Sequence, residues 1–223
     1  AAKARDPQAR PRLGLPGSGS DYTVFLHHLG LPVLDLGLGG NGGGQYHTAA
    51  DDFGIVDRYL DPGFHGHETA GRLFAEVLAA IADEGRAGFD GVETLLGLRD
   101  AIEPLTAADL LAFPGNEAAD ADATATAWTE LLDALNFMAV NVGKGALGEH
   151  EWRLYQALAA DDGLDHRPWY RNAFWAPGRE TGYAAELLPT LRGAGPELPE
   201  RIRDLIRMVQ RSPERTEQAA TAR

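Results

Sequence analysis

The sequence predicts two parts, an α/β segment followed by an all-α helical bundle. Three observations carry this reading. Over residues 21–38 a helix-like stretch runs straight into a short apolar run bounded by Pro and Gly, a succession that belongs to an α/β layer. Beyond residue 90 the apolar residues recur only at helical spacing. The chain has 223 residues, 44% of them hydrophobic, which suffices for one large domain or two small ones with packed cores.

The first twenty residues, charged and rich in Pro and Gly, read as loop. Asp21 is placed to cap a helix that presents Phe25, Leu26 and Leu29 on one face and stops at Gly30. Pro32 to Leu38 then reads as a buried strand. Gly39 to Gly44 is a flexible connection, and Asp57 to Pro62 a turn-rich segment. From Phe64 to Asp83, Leu73, Val77, Leu78 and Ile81 make the apolar stripe of an amphipathic helix. The Gly-containing stretch Glu84 to Asp90 is a domain boundary, dividing residues 1–89 from residues 90–223. Helices are expected next over Val92 to Leu105, Ala107 to Phe113, Ala121 to Val142, where Leu131, Leu135 and Met138 recur, and Glu149 to Ala160. Gly163 to Pro189 is irregular and aromatic-rich. A last helix starts near Pro199, which suits a first helical turn, and the polar tail from Ser212 is expected to fray. One strand cannot make a sheet, so the first part reads as a remnant whose neighbouring strands lie upstream of Ala1.

Composition excludes several classes of function. Lys and Arg number 20 against 33 Asp and Glu, a net charge of −13, which disfavours nucleic acid and anionic membrane surfaces as partners. The absence of cysteine removes disulfides, a thiol nucleophile and Cys-ligated metals. No apolar run approaches the length of a membrane span, and no signal peptide is visible.

The histidines carry the remaining chemistry. His27 and His28 are adjacent on a helix and point about 100° apart, so the pair cannot grip one ion simply. His65, His67 and Glu68 open a helix and read as surface or capping residues. His47 follows the glycine loop at the C-terminal side of the expected strand, where α/β sheets place ligands, and reads either as a hydrogen-bonded loop histidine or as a metal ligand. Asp51 and Asp52 read as caps of the next turn. Ser18 and Ser20 lack the preceding strand that a nucleophile elbow needs.

The runs SGSDYTVFLHHLGLPVLDLGL, GGGQYHTAADDF and DPGF, together with LDHRPWYRNAFWAPGRETGYAAELLP, resemble the glutamate carboxypeptidase II and transferrin receptor group of zinc peptidases, from about Gly17 to the last helix. The resemblance implies that residues 1–89 are the C-terminal part of an α/β zinc-peptidase domain. It implies that residues 90–223 are a transferrin receptor-like helical dimerisation domain. Active members hold two zinc ions between histidine, aspartate and glutamate ligands, with a second glutamate as general base. By this likeness His47 is the final zinc ligand and Tyr46 supports the tetrahedral transition state and binds substrate. Gly19 and Ser20 line the substrate, and Tyr183 is lent to the pocket by the helical domain. Such a site activates water between two metals and relays its proton through a carboxylate.

The sequence contains no Glu-Glu pair and no second ligand segment, so the resemblance implies a C-terminal portion of a zinc-dependent exopeptidase that is inactive as an isolated fragment. Peptides are the implied substrate, a homodimer the implied assembly, and an extracellular or membrane-anchored parent the implied setting. Gly182 stands where glutamate carboxypeptidase has a lysine, and its paired pocket arginines have no counterpart here, which points toward aminopeptidase- or dipeptidase-like specificity. The rival expectation is a non-catalytic, receptor-like dimerisation or binding module.

Overall fold

A computed structural model describes residues 14–37, 44–83, 90–144 and 153–221, with side chains described as far as residue 210. The chain divides into two compact units, Ala1–Val33 with Asp90–Arg223, and Leu34–Phe89.

The first unit is built on three helices, α4 (Gly91–Ile102), α6 (Ala121–Gly143) and α8 (Leu198–Thr221). Leu95, Leu98 and Ile102 of α4 share one core with Ala127, Leu131, Leu135 and Met138 of α6 and with Ile202, Leu205 and Val209 of α8. Each set recurs every three or four residues, so a helix turns it onto one face and buries it together. Asp90 starts α4 by accepting from the amides of Val92 (2.9 Å) and Glu93 (3.1 Å). Asp120 starts α6 by accepting from Ala123 at 2.8 Å. The short α5 (Ala107–Leu111) opens with a capping box between Thr106 and Asp109. Helix α8 begins at Leu198, beside the Pro199 that marked it, and continues to Thr221. The polar tail expected to fray from Ser212 is therefore helical through that residue.

Asn116 fastens the bundle where no periodicity advertises it. It is fully buried. Its Nδ2 donates to the carbonyls of Leu110 (2.9 Å) and Leu191 (2.8 Å), and its Oδ1 accepts from the Gly195 amide at 3.0 Å. One amide side chain thus ties the end of α5 to two turns that lie up to 79 positions further along the sequence.

The aromatic stretch contains the only strands among the described residues, β1 (Trp175–Pro177) and β2 (Ala185–Leu187), paired antiparallel with Ala176 opposite Glu186. Phe174 and Trp175 are fully buried under it. The short α7 (Leu154–Ala157) lies against α8; it is shorter than the helix expected over 149–160, whose first residues to Trp152 lie outside those described.

The leader groups with this helical unit through α1 (Tyr22–His27), because Leu26 joins its core and Leu15, Tyr22 and Val33 pack against it. Two expectations about α1 need correction. Asp21 makes no capping bond; the turn is held by Thr23, whose Oγ1 donates to the Ser20 carbonyl at 2.8 Å. The buried pair is Leu26 and His27, while Phe25 and Leu29 stay about half exposed. Gly30, at φ 64°, ends the turn as expected and passes within contact distance of the Tyr155–Gln156 backbone.

The second unit contains α2 (Phe53–Ile55), a π-helical turn (Val56–Leu60) where turns were expected, and α3 (His65–Asp83). Its expected strand is not formed: residues 32–37 lie in irregular backbone, with Leu34 52% exposed. A strand needs a hydrogen-bonded neighbour, and no described segment supplies one. Leu38 and the glycine run to Gly43, like the boundary stretch 84–89, lie outside the described residues. Helix α3 forms over the expected span but buries none of its residues, and Leu73 and Leu78 on its apolar stripe stay exposed.

Candidate functional site

The residues expected to serve one site fall in both units. Gly19, Ser20 and Tyr183 belong to the helical unit; Tyr46 and His47 belong to the unit Leu34–Phe89.

In the helical unit the leader loop lies on the β1–β2 hairpin. The Ser18 amide donates to the Tyr183 carbonyl at 2.8 Å. The approach is so close that a Cβ on Gly17 would sit 1.8 Å from the same oxygen, so only glycine fits there. At Gly19, φ 114°, a Cβ would come within 3.0 Å of the Tyr183 ring. Gly19 and Tyr183, which the sequence separates by more than 160 positions, are thus neighbours. Ser20 closes the turn by accepting from the Thr23 amide (3.2 Å) and hydroxyl. The Tyr183 side chain is 67% exposed, so its hydroxyl is open to a ligand. Gly182 at φ 73° turns the hairpin ahead of it.

His27 sits beneath this loop, and the sequence reading missed it. The ring is fully buried, with Nε2 2.7 Å from the Gly17 carbonyl. A carbonyl only accepts, so Nε2 carries the proton and Nδ1 is bare; Nδ1 is buried and has no partner. Burial pushes the His27 pKa below the ordinary 6.5, against a weaker upward pull from the Gly17 bond. Its carbonyl accepts from the Arg171 amide at 2.6 Å. His28 stacks on Trp169 (4.8 Å between centroids) and its Nδ1 lies 2.7 Å from the Trp169 carbonyl. The adjacency that rules the pair out as a chelate sends the His27 ring to the leader loop at Gly17 and the His28 ring to Trp169 of the aromatic segment. The only signal in the sequence was the position of His27 beside Leu26, on what proves to be the buried side.

In the other unit Tyr46 and His47 stack on each other, 3.8 Å between ring centroids. Tyr46 is 72% exposed and His47 is exposed too. His47 holds a left-handed backbone, φ 64°, steadied by the Asp51 carboxylate, which accepts from its amide at 3.3 Å. Asp52 caps α2, accepting from Ile55 at 3.0 Å. Asp61 caps α3: it accepts from the amides of Gly66 (3.0 Å) and His67 (2.9 Å) and pairs with His67 Nδ1 at 2.6 Å. The Gly66 amide first, then the His67 imidazole and then the His67 amide, lower its pKa to about 2. Glu68, expected at the helix start, binds Arg72 at 2.6 Å.

A neutral imidazole suits zinc. Among the described residues, however, no three His, Cys, Asp or Glu side chains converge to hold an ion. No described helix is long and apolar enough to cross a membrane.

Residues 114–220 match the family described as transferrin receptor-like dimerisation domain. The chain is 30% identical over 189 residues to the probable glutamate carboxypeptidase LAMP1 of Arabidopsis thaliana, covering 80% of this chain and 26% of that protein. It is 30% identical over 193 residues to a probable glutamate carboxypeptidase of Arthroderma benhamiae, covering 79% of this chain and 26% of that one. An 80-residue stretch is 39% identical to the aminopeptidase NAALADL1 of Mus musculus, covering 33% of this chain and 11% of that enzyme. The chain thus spans about a quarter of the length of the first two relatives.

Proposed function

The chain belongs to the glutamate carboxypeptidase and transferrin receptor-like group, with residues 114–220 as its dimerisation domain, and on that premise we propose that it serves a zinc-dependent exopeptidase as the part that completes the site and pairs the subunits. In this reading His47 is one zinc ligand, and the metal, when bound, polarises the substrate carbonyl and activates water. Tyr46, beside it, donates from its hydroxyl to the oxyanion of the tetrahedral centre. Gly19, Ser20 and Tyr183 form a wall of the substrate pocket, with the Tyr183 hydroxyl as the polar contact. The helical unit assembles the homodimer. Apart from the rest of the peptidase domain the chain is inactive, because it lacks both the other ligands and the carboxylate base.

The observation that carries the reading is the seating of Gly19 against the Tyr183 ring: two residues assigned to one pocket wall by likeness alone are neighbours. The exposure of Tyr46 and His47, side by side on a shared turn, supports their common role. Peptide cleavage as the chemistry rests on the relatives' names, which span both carboxypeptidases and an aminopeptidase. The test is the zinc content and peptidase activity of the full-length enzyme and its His47→Ala variant. Both are expected to fall together. Unchanged zinc stoichiometry by elemental analysis removes His47 from the metal site, and a wild-type protein that takes up no zinc leaves the non-catalytic pairing module as the function.

A further inference from the structure

The leader loop reaches Tyr183 by a single backbone bond, from the Ser18 amide to the Tyr183 carbonyl. Gly17, one residue earlier, is buried against Tyr183–Ala185 on one side and is bound by His27 on the other. The loop is therefore clamped between the hairpin and one imidazole. We infer that His27 is a positioning residue: its neutral ring latches the Gly17–Ser20 loop onto Tyr183, and protonation of its unpartnered Nδ1 releases the loop.

The chemistry of the cavity sets the direction. A second proton on the ring must go to Nδ1, which is buried and makes no hydrogen bond. From the aromatic segment facing α1, Tyr170 stands edge-on at 6.2 Å, and the charge that acts on the ring is that of Arg167, which adds repulsion. Arg167 is itself occupied by the Pro177 carbonyl (2.5 Å) and by Glu186 (3.3 Å). On the loop side stand only the carbonyls of Pro16 and Gly17. Because the closed-state pKa lies below 6.5 while an exposed histidine titrates near 6.5, protons favour the open loop. The latch is fully present above 6.5 and is lost as pH falls through the closed-state pKa.

This deepens the pocket reading above by naming what regulates its wall, and the assay that checks it uses no peptide. Amide hydrogen exchange at Ser18, normalised to the intrinsic rate, is followed at about pH 7.5 and about pH 5 in the purified chain, with Leu135 of α6 as the internal control. Wild type is expected to lose at least about fivefold of its Ser18 protection between those values while Leu135 is unchanged. His27→Gln keeps a donor at the Nε2 position that does not titrate, and is expected to hold Ser18 protected at both. His27→Leu is expected to leave it unprotected at both. Long-range 15N spectra should show the Nε2–H tautomer at neutral pH. A flat wild-type profile overturns the inference, as does a parallel loss at Leu135, a His27→Gln profile that follows wild type, or full protection in His27→Leu. If instead the latch behaves as expected but Tyr183→Phe leaves peptide binding by the full-length enzyme intact, the pocket assignment fails and the latch stands.

Discussion

Asn116→Ala tests whether the helical unit is held by one amide side chain. The substitution deletes two bonds to carbonyls and one from an amide. The Leu110 carbonyl keeps a second donor, the Phe113 amide at 3.2 Å. The Leu191 carbonyl and the Gly195 amide lose the partner described above while both residues are buried. Each buried orphan costs about 1–3 kcal/mol. Water admitted to the vacated volume recovers part of that, so the expected loss is about 3 kcal/mol. For a unit of this size that lowers the melting temperature by roughly 6–12 °C. The assay is urea and thermal unfolding followed by tryptophan fluorescence, which reports this unit because all four tryptophans (128, 152, 169 and 175) lie beyond residue 90. A loss below about 1 kcal/mol would mean that these three segments are held by packing alone, and the clamp would be refuted.

Gly17→Ala should displace the leader loop, since its Cβ would overlap the Tyr183 carbonyl; Ser18 amide exchange is expected to speed up while the bundle's melting temperature stays within a few degrees of wild type, and an unchanged Ser18 rate contradicts the close approach. Asp61 should titrate at about 2 in carboxyl NMR. Because its folded pKa is depressed, its support for the start of α3 is complete above the ordinary 3.8 and is lost as pH falls toward about 2. Asp61→Asn should raise amide exchange at Gly66 and His67 and remove that acid dependence, whereas exchange indistinguishable from wild type would show the cap to be idle. On α6, Phe137 (63% exposed) and Val140 (55%) are large apolar residues on the exposed face, in line with Thr129, Glu130 and Asp133 and away from the buried Leu131, Leu135 and Met138. Phe137→Asp with Val140→Asp is therefore expected to shift the chain from dimer toward monomer in light scattering, and a wild-type monomer at all concentrations would remove the premise.

The helical unit was legible because its signals are periodic and local. Leu131, Leu135 and Met138 announce α6 from spacing alone. What the sequence concealed is what no local rule encodes. The run Pro32–Leu38 has every mark of a buried strand, yet strand formation is a property of a pair, and among the described residues nothing pairs with it. The stripe on α3 was read correctly as amphipathic, but spacing predicts a face without predicting that anything covers it. The candidate site divides the same way. Gly19 and Tyr183 were matched by likeness to a family, and their contact depends on Gly17, where the absence of a side chain is the functional property. His27 was set aside for a sound reason, since adjacent histidines on a helix diverge. That divergence is what directs one ring under the loop at Gly17 and the other onto Trp169. A residue pair that fails as a chelate can therefore still organise a site, by fastening the backbone that carries it.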